Sequence, residues 1–330
     1  MTSLFPLVKN EVLKILKKKR FLVVILVLAA LIPIFTYAQL KVAQNLQEQF
    51  GSTDWKLETQ QRITDYTNRL GSARVPEEWK KYMMVQVQQL QYYLDKDINP
   101  QSPNGVTFTR GFLSETVSLF VPLLVLAIAS DLVSGERSGG TIKMLLTRPV
   151  KRWRILASKL IALTMFVSLI IIMTIVLAYL ISGSVFGYGG WDMPVLTGFQ
   201  VDGTEVNTAY VHAIDQWLFL IMQGGLAWFS AMAVACLALM VSVLVRSTAA
   251  SIVIMMASII AGLILANIAS SWESAKYLFM VNLDLPDYLT GQLPPIEGMT
   301  LPFSMTILAI WAIGSLIVSF TVFTKQDILN

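Results

Sequence analysis

Six stretches of this chain lack Lys, Arg, Asp and Glu over lengths close to the thickness of a membrane. They are Phe21 to Leu40, Thr116 to Ser130, Leu160 to Ser182, Gln216 to Val245, Ser247 to Trp272 and Thr300 to Thr324. A helix needs about 20 largely apolar residues to cross a hydrocarbon core of about 30 Å. The short second stretch reaches this length if it begins near Gly111 and takes Glu115 into the outer interface. The predicted transmembrane helices are therefore 21–40, 111–130, 155–182, 216–245, 247–272 and 300–324.

The composition is that of a membrane protein. Of 330 residues, 55% are hydrophobic and 14% are charged, whereas soluble domains carry about 25% charged residues. The polar side chains needed to cover a water-facing globule are missing, which excludes a soluble globular protein and a disordered chain. One cysteine, Cys236, and one histidine, His212, cannot supply a disulfide framework or a clustered Cys/His metal site. We therefore expect no metal site on this chain.

Basic residues concentrate in two regions, and this sets the expected orientation. Residues 1–20 hold six Lys and Arg side chains and residues 131–159 hold seven, whereas 183–215 hold none and 273–299 hold one. Lys and Arg in short loops favour the cytoplasmic side. We therefore expect a multi-pass protein of the cell membrane with both termini in the cytoplasm. The external segments are then 41–110, 183–215 and 273–299, and the tail 325–330 is cytoplasmic.

The first 20 residues have the pattern of an amphipathic helix. Val8, Val12 and Ile15 recur at helical spacing against Lys9 and Lys14. This pattern predicts a helix over 1–20 that lies in the membrane interface with its lysines toward anionic headgroups. A charge cluster that only sets topology is the alternative interpretation.

The segment 41–110 predicts a pair of helices outside the membrane. Apolar and amide side chains recur three or four residues apart in two blocks, which are separated by a break at Gly71 to Pro76. The positions are Ile63, Tyr66 and Leu70 in the first block and Trp79, Met83, Gln86, Leu90 and Tyr93 in the second. We expect an external helical hairpin whose apolar faces pack on each other, or also offer a surface to a ligand or partner.

Catalysis by this chain alone is not expected. No predicted span carries Asp or Glu near its centre, and a single histidine leaves no nucleophile with a base. A phosphate-binding loop needs a glycine-rich run that ends in Gly-Lys-Ser/Thr, but Thr141 stands at the lysine position of the nearest candidate, Gly135 to Thr141. The fold class that remains is an all-α polytopic membrane protein that is not an enzyme by itself.

The predicted cytoplasmic segment 131–154 carries a distinctive order of residues. Glu136 is followed by Gly140-Thr141, Leu145-Leu146, Pro149-Val150, Arg152 and, at the start of the third span, Lys159. This order resembles the membrane subunits, or permeases, of type-2 ABC transporters, mostly exporters. The inserted external region 41–110 after the first span is similar to that of bacitracin-resistance and lantibiotic-immunity permeases.

The resemblance implies a dimer of permease subunits, formed with a second copy or a homologue, on two separate ATP-binding subunits. ATP and Mg²⁺ would be bound by those partner subunits, and no cofactor by this chain. The residues that would couple to the ATPase are Glu136, Arg137, Gly140, Thr141, Lys143, Leu145, Leu146, Arg148 and Arg246. The segment 273–299 would correspond to re-entrant external helices that close the outer end of the path; a solvated loop is the alternative.

Apolar and amide side chains inside the spans predict the substrate path. The candidates are Gln223, Trp228, Met232, Met255, Met256 and Asn267, chosen because Met adapts to irregular surfaces and amides within spans are usually partnered. Such a lining favours an amphipathic substrate: a peptide antibiotic, a lipid-linked compound or a drug. The alternatives are a membrane sensor or scaffold with an external ligand-binding hairpin, and a secondary carrier. No nucleic acid is expected as a partner.

Overall fold

Long helices dominate the computed structural model, which describes residues 4–50, 54–100, 103–142, 150–268 and 272–325. A backbone in lipid must satisfy its own hydrogen bonds, and a helix does this within one segment. The helices are α1 (Leu4–Lys17), α2 (Arg20–Phe50), α3 (Trp55–Leu70), α4 (Glu77–Asp95), α5 (Gly105–Thr116), α6 (Phe120–Ala129), α7 (Ser134–Ser138), α8 (Arg152–Phe186), α9 (Gln216–Leu244), α10 (Thr248–Ile268), α11 (Asp287–Thr290) and α12 (Leu301–Lys325).

Five of these helices, α2, α8, α9, α10 and α12, are long and apolar enough to cross a membrane. The same elements were expected from the apolar stretches of the sequence. The buried core joins α5, α6, α8 and α9, and α9 is the helix most enclosed by its neighbours among the five. The protein is therefore a largely helical, multi-pass membrane protein.

The region predicted as one helix at 111–130 differs from that expectation. It holds only the end of α5, together with all of α6. The stretch Gly105–Thr116 is inclined at 65° to the stretch Phe120–Ser138 across a short break, and the two count as a sixth span only if they are taken together. Pro122 explains the break, because it has no N–H and its ring would clash with the carbonyl of Ser118 in a continuous helix. Asn104 caps the start of α5 by accepting hydrogen bonds from the backbone of Val106 and Thr107.

Helices α3 and α4 lie where the sequence predicts two helices, and they pack against each other. Two short antiparallel strand pairs follow α8 in the region predicted as a loop, and the all-helical expectation did not include them. They are β1 (Pro194–Thr197) with β4 (His212–Asp215), and β2 (Gln200–Asp202) with β3 (Glu205–Asn207). The later segment 273–299 forms two short 3-10 helices, Glu273–Tyr277 and Phe279–Asn282, and then α11.

A close crossing of α5 and α8 fixes the two helices beside the strand pairs. A Cβ placed on Gly105 would lie 3.1 Å from Gly183 Cα and 3.2 Å from the carbonyl oxygen of Gly187. The Gly105 N–H donates to that same oxygen at 2.9 Å. Small residues at such crossings let backbones approach closely, which drives helix association in membranes.

Candidate functional site

The end of the bundle opposite the strands contains a cluster of buried charged side chains. We call this end the charged end. Lys159, on α8, is fully buried, and its side chain is 1% exposed. Its Nζ lies 2.8 Å from Glu11 Oε2 and 2.9 Å from Glu136 Oε1. Lys14 bridges the same two carboxylates, at 2.9 Å from Glu11 and 2.7 Å from Glu136. Two lysines and two carboxylates from α1, α7 and α8 thus form one closed network.

The network explains why charged side chains are tolerated in this core. Removing an ion from water costs several kcal/mol unless partners and hydrogen bonds compensate. Burial alone raises the pKa of Glu136, but Lys159 and Lys14 outweigh that effect and hold the pKa below its usual value. Glu136 Oε2 has no hydrogen-bond partner among the residues that the structure describes. Glu136 is therefore held as a carboxylate at neutral pH.

A second set of ion pairs fixes the turn that precedes α7. Asp131 accepts from Lys18 Nζ at 2.6 Å, and its other oxygen lies 2.9 Å from the Arg20 guanidinium and 3.2 Å from the Thr248 hydroxyl. A Cβ on Gly135 would lie only 1.9 Å from Asp131 Oδ1. The side chain of Asp131 therefore occupies space that only a glycine at position 135 leaves open.

Ser242, near the end of α9, joins the same turn to the bundle. Its hydroxyl accepts from the backbone N–H groups of Val133 and Ser134 at 3.1 and 3.0 Å, and it donates to the Ser130 carbonyl at 2.9 Å. Since Arg20 begins α2 and Thr248 lies at the start of α10, the turn 130–136 is held by α1, α2, α8, α9 and α10. We call residues 130–136 the anchored turn.

The chain emerges at the surface directly after the anchored turn. Residues 138–141 are exposed, and so are Arg246 and Ser247 between α9 and α10. Gly140 adopts a φ of +69°, which favours glycine. The Arg246 charge contributes, after burial, to lowering the pKa of Arg137, and α10, which begins two residues after Arg246, contacts α7. We call residues 138–141 with 246–247 the exposed face.

The structure separates the predicted coupling residues into two environments. Glu136 is buried in the cluster and Arg137 is half-buried, whereas Gly140, Thr141 and Arg246 lie on the exposed face. The Thr141 hydroxyl donates to the carbonyl of Glu136 at 3.3 Å. The remaining predictions, Lys143, Leu145, Leu146 and Arg148, fall outside the described residues.

The predicted substrate-path residues do not share one cavity. Gln223 is buried and its amide donates to the Arg110 carbonyl at 2.9 Å, while Trp228 donates to the Ser168 hydroxyl at 2.9 Å. Trp228 lines an apolar cavity of about 320 Å³ between α8 and α9, and Gln223, Met232, Met255 and Met256 are not among the described residues that line it. The other placements are Met232 half-buried, Met255 buried, Met256 exposed, and Asn267 with a side chain outside the described part.

Sequence reasoning did not single out Glu11 or Asp131. Glu11 is the one acidic residue among the first 20 residues, and it falls four positions before Ile15 on the apolar face of α1. Helical residues four apart share a face, so a lone acid in this position indicates a buried partner. That signal was available in the pattern, but it does not identify Lys159 as the partner.

Comparison with known proteins places residues 79–329 in a family described as "Protein of unknown function (DUF2705)". The chain belongs to the DUF2705 family. The DUF2705 match covers Asp131, Glu136 and Lys159, and it begins after α1 and Glu11.

Two relatives of this DUF2705 protein come from Bacillus subtilis (strain 168). The chain is 28% identical to "Uncharacterized protein YhcI" over 98% of its own length and 99% of the relative. It is 32% identical to "Uncharacterized membrane protein YdbK" over 66% of its length and 82% of that protein. The second name agrees with the membrane-spanning character of the helices.

Acidification is expected to remove the stabilisation that Glu136 provides. Because the pKa of Glu136 is lower in the folded state, its contribution is complete above pH 4.5, the ordinary value, and is lost as the pH falls through the lowered pKa. The difference in thermal stability between the natural protein and Glu136→Gln in detergent should therefore be largest near neutral pH. A difference that grows on acidification would contradict the assigned ion pairs.

Proposed function

We propose that this chain is the permease subunit of an ATP-driven exporter of the ABC type, with hydrolysis performed by separate ATP-binding subunits. The observation that supports it is the anchored turn, which joins the exposed face to α1, α2, α8, α9 and α10. A partner that moves the exposed face pulls on all five helices through ion pairs and hydrogen bonds. Breaking those pairs inside the protein is costly, so the displacement passes to the helices.

The proposal assigns six crossings to the chain. The α5–α6 pair counts as the second span, and the charged end faces the cytoplasm because Lys and Arg concentrate there. Helix α1 then lies at the cytoplasmic membrane surface, where Phe5, Leu13 and Leu16 are exposed beside its lysines. Helices α3 and α4 form a hairpin on the outer side.

In the proposed complex, two permease subunits meet two ATP-binding subunits. ATP binding closes the ATPases and shifts the exposed face, and the spans change between inward and outward access, as in other two-state carriers. This chain binds neither ATP nor Mg²⁺ in the proposal. The cargo is an amphipathic compound, in keeping with the resemblance to permeases that confer resistance to peptide antibiotics.

Co-purification from native membranes tests the class directly. The tagged chain is extracted in mild detergent, bound subunits are identified, and vanadate-sensitive ATP hydrolysis is assayed. An ATP-binding subunit that stays attached and hydrolyses ATP supports the proposal. A chain that is isolated folded but alone and inactive favours the sensor or the secondary carrier instead.

Reversing the charge of Arg246 is expected to reduce co-purified ATPase activity by about fivefold or more, the lower range of typical coupling between sites. Arg246 is exposed and lies outside the buried cluster, so the melting temperature of Arg246→Glu should stay close to that of the natural protein. Arg74→Glu is the matched control, because Arg74 is exposed in the loop between α3 and α4. Equal ATPase loss in both variants would exclude a specific contact at the exposed face.

A further inference from the structure

A large cavity lies at the end of the bundle opposite the charged end, and we call it the distal cavity. Its volume is about 990 Å³, and it is a half-open space lined mainly by α4, the β2–β3 pair and the segment from Gly291 to Leu301. Ligand pockets typically measure about 300–1,000 Å³ and combine apolar walls with a few polar groups. The rings of Trp79, Tyr82, Phe199 and Tyr288 line the distal cavity.

Hydrogen bonds between elements hold the cavity walls in place. The Gln88 side chain donates to the Thr204 carbonyl at 2.7 Å and accepts from the Val206 N–H at 3.0 Å, which joins α4 to the β2–β3 pair. The buried Gln89 donates to the Gly291 carbonyl at 2.7 Å. Three sides of the cavity are therefore connected, and the space is preformed.

Gly291 allows the closest approach between two of these walls. Its φ of +67° lies in the left-handed region, and an added Cβ would be 2.3 Å from Phe199 Cβ. The Phe199 ring packs against Tyr92 and Tyr93 of α4 at centroid distances of 5.8 and 6.1 Å. These contacts fix the orientation of the Phe199 ring at the cavity.

Three carboxyl groups gather behind the aromatic wall. Asp287 Oδ1 accepts a hydrogen bond from the Ser114 hydroxyl at 2.7 Å, and Asp284 accepts one from Ser118. Burial, reinforced by Asp284 and Glu115, raises the pKa of Asp287 to about 7. Burial and Glu115 raise the pKa of Asp284 to about 6 despite the Ser118 hydrogen bond. The carboxyl groups of Asp284 and Asp287 are thus partly ionised at neutral pH, and a nearby cation would favour their ionised forms.

The charges act on the rings that line the cavity. Burial is the main cause of the raised pKa of Tyr288, and Asp284 and Asp287 add to it against the Ser304 hydrogen bond. Burial also raises the pKa of Tyr82, where Tyr66, Glu115 and Asp287 add to the effect and Arg62 opposes it. Glu297 and Lys81 stand on the exposed rim. With the three carboxyl groups behind Tyr288 and Tyr82, acidic groups outnumber basic ones around the distal cavity.

We propose that the distal cavity binds a monovalent organic cation with a bulky apolar body. Aromatic faces attract cations within about 6 Å of the ring centre, the apolar wall covers the body of such a ligand, and the nearby carboxylates select its charge. The inference rests on the cavity alone, so it holds whether or not the chain works with an ATPase.

Two probes of the same shape and opposite charge test this inference. Tetraphenylphosphonium and tetraphenylborate are each equilibrated with the purified full-length chain in detergent, without ATP or added subunits, and binding above the detergent background is measured. Saturable binding of the cation with none of the anion is expected. Equal binding of the two probes, or no saturable binding of the cation, would overturn the proposal.

Variants locate the binding in the distal cavity. Trp79→Leu is expected to weaken binding of the cation by about fivefold, within the range of a cation–π contact, and Trp153→Leu at the charged end should leave it unchanged. Binding to the natural protein should tighten from about pH 6 to about pH 8 as Asp287 ionises, and this rise should be reduced in Asp287→Asn. Glu297→Gln, at the exposed rim, gives the same test of charge if Asp287→Asn does not fold. Binding of equal strength at both pH values and in both carboxyl variants would refute the charge selection.

Because no ATPase takes part, these measurements are separate from those on the proposed function. If the chain is isolated without an ATPase and still binds the cation, the proposed cation site in the distal cavity is supported and the membrane-sensor interpretation is favoured. If an active ATPase is attached but the cation shows no saturable binding, the permease proposal is supported and the proposed cation site is refuted.

Discussion

Replacing Lys159 with methionine is expected to lower the free energy of unfolding by about 3–5 kcal/mol. Methionine fills a similar volume, so the effect comes from charge. Lys159 Nζ lies within 2.9 Å of carboxylate oxygens of both Glu11 and Glu136. Without it, two buried carboxylates share only Lys14, which is partly exposed. The thermal stability of the detergent-solubilised protein, followed by the loss of monodisperse material on heating, measures this effect.

Lys9→Met is the matched control for this prediction. Lys9 lies on the same helix as Glu11, and its side chain is exposed, so its loss should change stability by less than about 0.5 kcal/mol. The double variant Glu11→Gln with Lys159→Met should lose less unfolding free energy than the sum of the losses in the two single variants, because it removes a charge together with its partner. Strict additivity would mean that Glu11 and Lys159 do not interact.

Gly105→Leu is expected to lower the stability by about 3 kcal/mol, at the upper end of the usual cost of overpacking. The atoms nearest to an added Cβ belong to the backbone of Gly183 and Gly187, at 3.1 to 3.3 Å. Backbone atoms of α8 cannot move aside as a flexible side chain can. The substitution therefore separates α5 from α8 and breaks the Gly105 to Gly187 hydrogen bond of 2.9 Å.

Gly111→Leu on the same helix isolates the effect of the crossing. Apart from its chain neighbours and the backbone of its own helix, no atom of the described residues lies within 4 Å of an added Cβ on Gly111. Leucine is also the better helix former of the two. Its thermal stability should equal or exceed that of the natural protein. If Gly105→Leu and Gly111→Leu melt at the same temperature, the close crossing of α5 and α8 is not a stabilising contact.

Apolar length predicted the positions of the long helices well. α8, α9 and α12 cover the apolar stretches that begin at Leu160, Gln216 and Thr300, because only a helix satisfies the backbone of such a run in lipid. Extensions of these helices beyond the apolar stretch were not predictable from hydropathy. α2 continues to Phe50 through a polar sequence, since helical backbone does not need apolar side chains once it has started.

Breaks and long-range pairs were harder to predict than helices. Pro122 indicates the bend between α5 and α6. The apolar content of the stretch does not indicate it, because apolar content is the same for one continuous helix and for two. The strands β1 to β4 are three or four residues long, too short for an alternating pattern to stand out. The network of Glu11, Glu136 and Lys159 depends on tertiary contacts that spacing along the chain does not reveal.

The order of synthesis has a consequence for Glu11. It is separated from Lys159 by 148 residues. At a synthesis rate of about 5–20 residues per second, Lys159 is therefore made about 7–30 s after Glu11. During this interval Lys14, one turn along the same helix, is its nearby counter-charge. Helix α1 can therefore complete its buried ion pairs only after the start of α8 has been made, so an element early in the chain reaches its final contacts late.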